Sequence, residues 1–194
     1  MFRSKNLIGV DIGSHTVKVC QVHKVGDKYE LENYGTAEIY KHGRSADDLA
    51  PGKQLKVDAL KRALEDGNMR GHHAVSAVSG ESIIVRYLQL PEMPEFELKK
   101  ALQWEAEEYI PFRLSEVNLD SQILGHVNDG DHSKMDVLLV SAKKDLVDDH
   151  VEIIRAAGLE PLIVDVDSFT VQTICGVLNI PLEFHTRLIQ MPGL

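Results

Sequence analysis

The sequence predicts an α/β fold that opens with an antiparallel β-meander and carries a smaller inserted unit of order αββαβ. Three observations predict it. Residues 7–10 form a short apolar run that stops at Asp11-Ile12-Gly13-Ser14, and residues 16–22 then alternate, so two strands meet at a tight glycine-containing turn. Past the stiff joint Pro91-Glu92-Met93-Pro94, the composition changes to a charged amphipathic stretch over residues 95–109. A third signal is Gly158, which follows a helical pattern over residues 143–157 at the position where helices leave the right-handed region.

The elements follow in order. A Gly-Asp turn at Gly26-Asp27 separates the second strand from a third over residues 29–39. Residues 42–52 are polar, with Gly, Ser, Asp and Pro, and read as a loop. Val57, Leu60 and Leu64 share one helix face, with Gly67 just past its end. Residues 73–79 and 83–90 read as strands, the second closed by Pro91. The amphipathic helix, with Phe96, Ala101, Leu102 and Tyr109 among its members, stops at Ile110-Pro111. Strands over 117–127 and 135–142 flank a turn at 128–131, and a last strand covers 159–166. Asp167 or Ser168 is placed to cap a final helix through Val177. The implied division is a first subdomain over 1–92, the inserted αββαβ unit over 93–166, a returning helix over 167–178 and an atypical tail over 179–194, which shows no periodicity.

Bulk composition narrows the function classes. The chain has 194 residues, enough for one substantial core or two small ones, with 43% hydrophobic and 26% charged residues. A net charge of -9 argues against non-specific nucleic-acid binding, which needs a basic surface. It leaves room for a local anion site, because backbone N–H groups bind phosphate without net positive charge. The two cysteines, Cys20 and Cys175, have no metal-ligand spacing and read as reduced thiols. Residues 1–6 are polar, and no apolar run is long enough to span a bilayer, so the expected compartment is the cytoplasm. The nine histidines are single or, at His72-His73, adjacent and therefore on opposite faces of a strand, and they read as solvated side chains.

One stretch is shaped for chemistry, Gly9-Val10-Asp11-Ile12-Gly13-Ser14-His15-Thr16-Val17-Lys18. An acidic residue at the end of an apolar strand, then glycine and small hydroxyl residues, makes a hairpin whose backbone amides can face a polyphosphate. Asp11 is the residue expected to hold Mg²⁺ through water, and Lys18 to add a point charge. The expected nucleotide-binding residues are Asp11, Gly13, Ser14, His15, Thr16 and Lys18. An ordinary β-turn uses the same residue types. The location directly between the first two apolar strands favours the nucleotide reading over that one. A P-loop it is not, since that motif needs GxxxxGK[ST] before a helix.

The D-I-G-S turn is similar to the first phosphate motif of the actin, Hsp70 and sugar-kinase superfamily. The inserted unit resembles the subdomain shared by the FtsA and PilM families. The strings Gln103-Trp104-Glu105-Ala106-Glu107-Glu108-Tyr109-Ile110-Pro111-Phe112, Glu116-Val117-Asn118-Leu119-Asp120, Ala156-Ala157-Gly158-Leu159-Glu160-Pro161 and Val164-Asp165-Val166-Asp167-Ser168 most resemble the PilM family of type IV pilus assembly proteins, over the chain up to about Val177. The resemblance implies an actin-like, ribonuclease H-like half-fold whose second lobe is missing. It implies ATP and Mg²⁺ as ligands of the complete protein, with affinity and hydrolysis weak or lost in this chain, where the second phosphate and adenosine motifs are absent. Trp104, Tyr109, Ile110, Pro111 and Phe112 form an aromatic and apolar cluster at a helix end, and the resemblance implies a groove between the first subdomain and the insertion that holds the cytoplasmic tail of a PilN-like membrane protein. The chain would then sit at the inner face of the cytoplasmic membrane through that partner. Core packing between helix and sheet is the competing role for these aromatics. Two other readings share the turn, an FtsA-like division protein and a sugar-kinase-type phosphotransferase. The first calls for a basic amphipathic C-terminal helix, whereas residues 179–194 hold Arg187 as their single Lys or Arg. The second calls for a substrate lobe that is not visible.

Overall fold

The computed structural model describes residues 7–40, 52–129 and 132–178. The expected loop at 42–52 lies outside them except for Gly52, which is the first residue of a helix instead, and the turn residues 130–131 and the tail at 179–194 lie outside them too. The chain divides into two compact units, Met1–Val78 with Asp148–Leu194, and Ser79–Val147.

The first unit is built on a five-stranded sheet of order β3-β2-β1-β4-β8. Strands β1 (Leu7–Ile12), β2 (Thr16–Val25) and β3 (Lys28–Glu38) form the expected antiparallel meander, while β4 (His73–Val78) runs parallel to β1 and β8 (Glu160–Val166) parallel to β4. Strand alternation decides the layers. Ile8, Val10, Val17, Val19 and Ala74 all turn to one face, where they bury against Val57, Leu60 and Ala63 of α1 (Gly52–Asp66) and Ile153 and Ile154 of α3 (Lys144–Ala156). The helix α1 can lie close to β3 because Gly35 and Gly67 meet there. A β-carbon on Gly35 would overlap the Ala63 carbonyl oxygen, and one on Gly67 would stand 2.9 Å from the Gly35 nitrogen. Helix α3 ends as predicted, with Gly158 at φ +95° and Leu159 N–H donating to Ile154 O. The last helix, α4 (Asp167–Val177), packs against β8 and β4. Its N-cap position falls on Val166 and carries no side-chain cap, so neither Asp167 nor Ser168 has the predicted capping role; Asp167 is the first helical residue instead.

The second unit is a three-stranded antiparallel sheet of order β5-β7-β6, made by β5 (Ile83–Pro91), β6 (Val117–Asp129) and β7 (His132–Lys143). Helix α2 (Glu95–Tyr109) buries Leu98 and Leu102 against Leu88 and Leu90 of β5 and Met135, Val137 and Leu139 of β7, with Ile110 closing the cluster. This corrects the predicted boundaries of 93 and 166. Strand β5, expected in the first subdomain, pairs with β7 along its whole length, and β8, expected in the insertion, pairs with β4. The sequence order α2-β6-β7-α3-β8 is as predicted, but spatially the unit begins ahead of the proline joint and ends inside α3. Helix α2 is the predicted amphipathic helix. Leu98 and Leu102 are its buried pair, while Phe96 is exposed. The helix face that meets the sheet is set by the i, i+4 leucines.

Candidate functional site

The predicted turn is closed by its own backbone. Gly13 N–H donates to Thr16 O at 3.0 Å, and a β-carbon on Gly13 would stand 2.9 Å from that same oxygen, so the close approach fixes glycine here. The Ser14 hydroxyl bonds His15 Nδ1 at 2.9 Å, and His15 O accepts from Ile39 N–H at 2.7 Å, tying the turn to the end of β3. The Gly13 amide is therefore engaged within the turn.

Antiparallel pairing does the rest. The register sets Asp11 opposite Lys18, and their side chains meet with Lys18 Nζ 2.8 Å from Asp11 Oδ2. This ion pair raises the Lys18 pKa above its usual 10.5. Both side chains are about half-exposed, so the pair is accessible to a ligand rather than sealed.

Asp11 and Lys18 stand in a cleft of about 680 Å³. It lies on the sheet face opposite α1 and α3, because its lining includes the residues that alternate away from that core: Gly9, Cys20, Tyr34, Val75, Ala77, Ile163 and Asp165. From α4 it takes Asp167, Thr170 and Val171. Of the six predicted residues, Asp11 and Lys18 line this cleft, while Gly13, Ser14, His15 and Thr16 form the turn that joins their strands. Sequence reasoning missed Asp165 and Asp167. They lie about 150 residues from Asp11 in the chain, yet the neighbouring strands β1, β4 and β8 bring all three carboxylates to one cleft. Among the described residues no group of three His, Cys, Asp or Glu stands close enough to hold a metal ion by itself. The charged side chains in the lining are these three carboxylates and one ammonium. That set repels a bare polyphosphate and suits one that brings a divalent cation, which one or two carboxylates hold through water. Cys20 is a free thiol in this lining, and burial raises its pKa.

Behind the cleft floor sits a residue read from sequence as a solvated histidine. His150 is buried, and its Nε2 is 2.7 Å from Ser76 Oγ, which in turn donates to Val10 O at 2.6 Å. The signal was available in the sequence, since His150 falls three and four residues before Ile153 and Ile154 on the inward stripe of α3. Burial lowers its pKa below 6.5, helped by the nearby Lys56 charge and opposed by Asp167 and Asp11.

In the second unit, Pro111, Phe112, Arg113, Leu114 and Ser115 line a concavity of about 500 Å³. Lys143 Nζ lies 4.3 Å from the Phe112 ring centre, and Lys144 Nζ donates to Ser115 O at 2.7 Å, so β7 and α3 hold this loop. The aromatic cluster around it does not share one role. Ile110 is core and Phe112 packs against it, but Trp104 is 80% exposed.

A profile of the type IV pilus assembly protein PilM matches residues 9–187. The match runs beyond Val177 into the segment that was expected to depart from the family. Among solved structures, the chain is similar to the PilM–PilN type IV pilus biogenesis complex, with a TM-score of 0.70 and 28% identity, over 86% of this chain and 49% of that one. It spans about half the length of that relative. This likeness bears out the actin-like α/β fold. A fainter likeness, with a TM-score of 0.50 and 13% identity over 83% of this chain and 57% of the other, is to the cytoplasmic domain of EpsL, an inner membrane component of the type II secretion system of Vibrio cholerae. At that identity it shows fold alone. With its profile matched over most of its length, the chain belongs to the PilM family of type IV pilus assembly proteins.

Proposed function

We propose that this chain is a cytoplasmic scaffold of the type IV pilus inner-membrane assembly complex. It binds the cytoplasmic tail of a PilN-like membrane protein and reaches the membrane through that partner. The observation that carries the reading is the similarity at 28% identity to a PilM held in complex with PilN. Among the described residues no helix is long and apolar enough to cross a membrane. Membrane attachment through a partner is consistent with that. The test is calorimetric titration of the chain with a synthetic peptide of the N-terminal tail of the PilN encoded in the same genome. Saturable one-to-one binding supports the reading, and a folded chain that binds no such peptide overturns it for this chain.

We further propose that the cleft holds Mg²⁺ and ATP, with Asp11 on the metal side and Lys18 released from Asp11 to the phosphates. In support stands the fit of three carboxylates and one lysine around one space of about 680 Å³. The role of the residues is to bind and orient: Asp11 positions hydrated Mg²⁺, Gly9 keeps the floor low, and Lys18 exchanges one anionic partner for another. An Asp11→Asn variant should lose Mg²⁺-dependent ATP binding while its melting temperature stays close to the parent, because an exposed ion pair contributes only about 0–1 kcal/mol. Binding that persists undiminished in the variant would remove Asp11 from the metal site.

A further inference from the structure

We infer that His150 and Ser76 form a positioning pair that fixes Asp11 from behind the sheet. The direction of each hydrogen bond follows from chemistry. The Val10 carbonyl can only accept, so the single Ser76 hydroxyl proton is used there. Ser76 then has only lone pairs to offer His150, so Nε2 must carry the imidazole proton and Nδ1 is bare. The result is a directed relay, His150 Nε2–H to Ser76 Oγ–H to Val10 O, with contacts of 2.7 and 2.6 Å. Both side chains are buried, at 9% and 8% exposure, where consecutive hydrogen bonds strengthen one another and water does not compete.

The place where the relay ends gives it a purpose. The carbonyl of Val10 belongs to the peptide unit whose nitrogen is that of Asp11. Because the peptide is planar, a hydrogen bond at its oxygen restrains the whole unit from turning, and the Cα of Asp11 is restrained with it. The alternation of β1 puts Val10 toward α3 and Asp11 toward the cleft, so a residue on the core side steers one on the ligand side through a single peptide bond. Ser76 is not a nucleophile activated by His150, since its proton points away from the imidazole.

The inference rests in part on the nucleotide reading, and its test separates the two. In the chain without nucleotide, long-range ¹⁵N–¹H spectra should show His150 as the neutral Nε2–H tautomer at pH 7, and a Nδ1–H tautomer would overturn the relay. Amide hydrogen exchange at Asp11 and Ile12 should accelerate about tenfold in Ser76→Ala and measurably in His150→Leu, and recover in His150→Gln, whose side-chain amide can donate from a similar position. Ile154→Val, a buried change on the same helix with no part in the relay, controls for general loosening. Equal acceleration in that control, or none in Ser76→Ala, would reduce the pair to ordinary packing. Mg²⁺·ATP titration of the same variants then reads function, with Ser76→Ala about tenfold weaker than parent and Ile154→Val unchanged. If the parent chain binds no nucleotide, the cleft reading fails, and the exchange and tautomer data still decide whether Asp11 is held this way.

Discussion

At the scale of single residues, His150 couples folding to pH, because burial disfavours its imidazolium. Its folded pKa lies below 6.5 and its unfolded one near 6.5, so the unfolded chain binds more protons as the pH falls through that value. Folding stability associated with this group is therefore intact above pH 6.5, declines below it, and stops declining once the pH is under the folded pKa. Urea midpoints measured from pH 8 to pH 5 should fall more steeply for the parent chain than for His150→Gln, which has no such proton to take up. Coincident curves would mean that His150 is not buried in solution. Lys18 shows the opposite arrangement. Its partner Asp11 raises its pKa above 10.5, so it is charged at neutral pH, and its use to the cleft lies in which anion it faces.

At the scale of elements, the contact between β3 and α1 is close enough to exclude a side chain at Gly35. Gly35 faces the last turn of α1 with no room for a methyl group. Gly35→Ala should push strand and helix apart and cost about 1–3 kcal/mol or more, read as a lower urea midpoint with an unchanged slope. A variant as stable as the parent would show that β3 can shift freely. The second unit depends in the same way on α2, where Leu98 and Leu102 are each about 2% exposed. Leu102→Ala should cost about 2–5 kcal/mol, the range for a leucine removed from a packed core. Trp104→Ala on the same helix should cost little stability, since that ring is mostly in water. If Trp104→Ala instead abolishes binding of the PilN-type peptide with the melting curve unchanged, the exposed ring belongs to the partner surface.

On the scale of the whole chain, the described residues form two cores with no shared residues, one around Ile8, Leu60 and Ile154 and one around Leu98, Met135 and Leu139. Cavities made in separate cores act independently. Amide exchange read by mass spectrometry should show Leu102→Ala losing protection over β5, β6 and β7, and Ile154→Ala losing it over β1, β4 and α1. Loss across both units in either variant would mean that the two unfold as one.

Local physics made some of this legible from the sequence alone. Apolar alternation and a glycine turn determined the meander, and with it the opposition of Asp11 and Lys18. The 3.6-residue period determined α1 and α3, and Gly158 the end of α3. The family strings, Tyr109-Ile110-Pro111-Phe112 above all, determined kinship. What local pattern cannot carry is the choice of a distant partner. Strand β5 reads as a strand wherever it goes, and only long-range pairing with β7 put it in the second unit; β8 was claimed by β4 in the same way. The cleft is the consequence. Asp165 and Asp167 became neighbours of Asp11, and His150 became the support behind it, because the parallel order β1-β4-β8 closes chain separations that no sequence period spans.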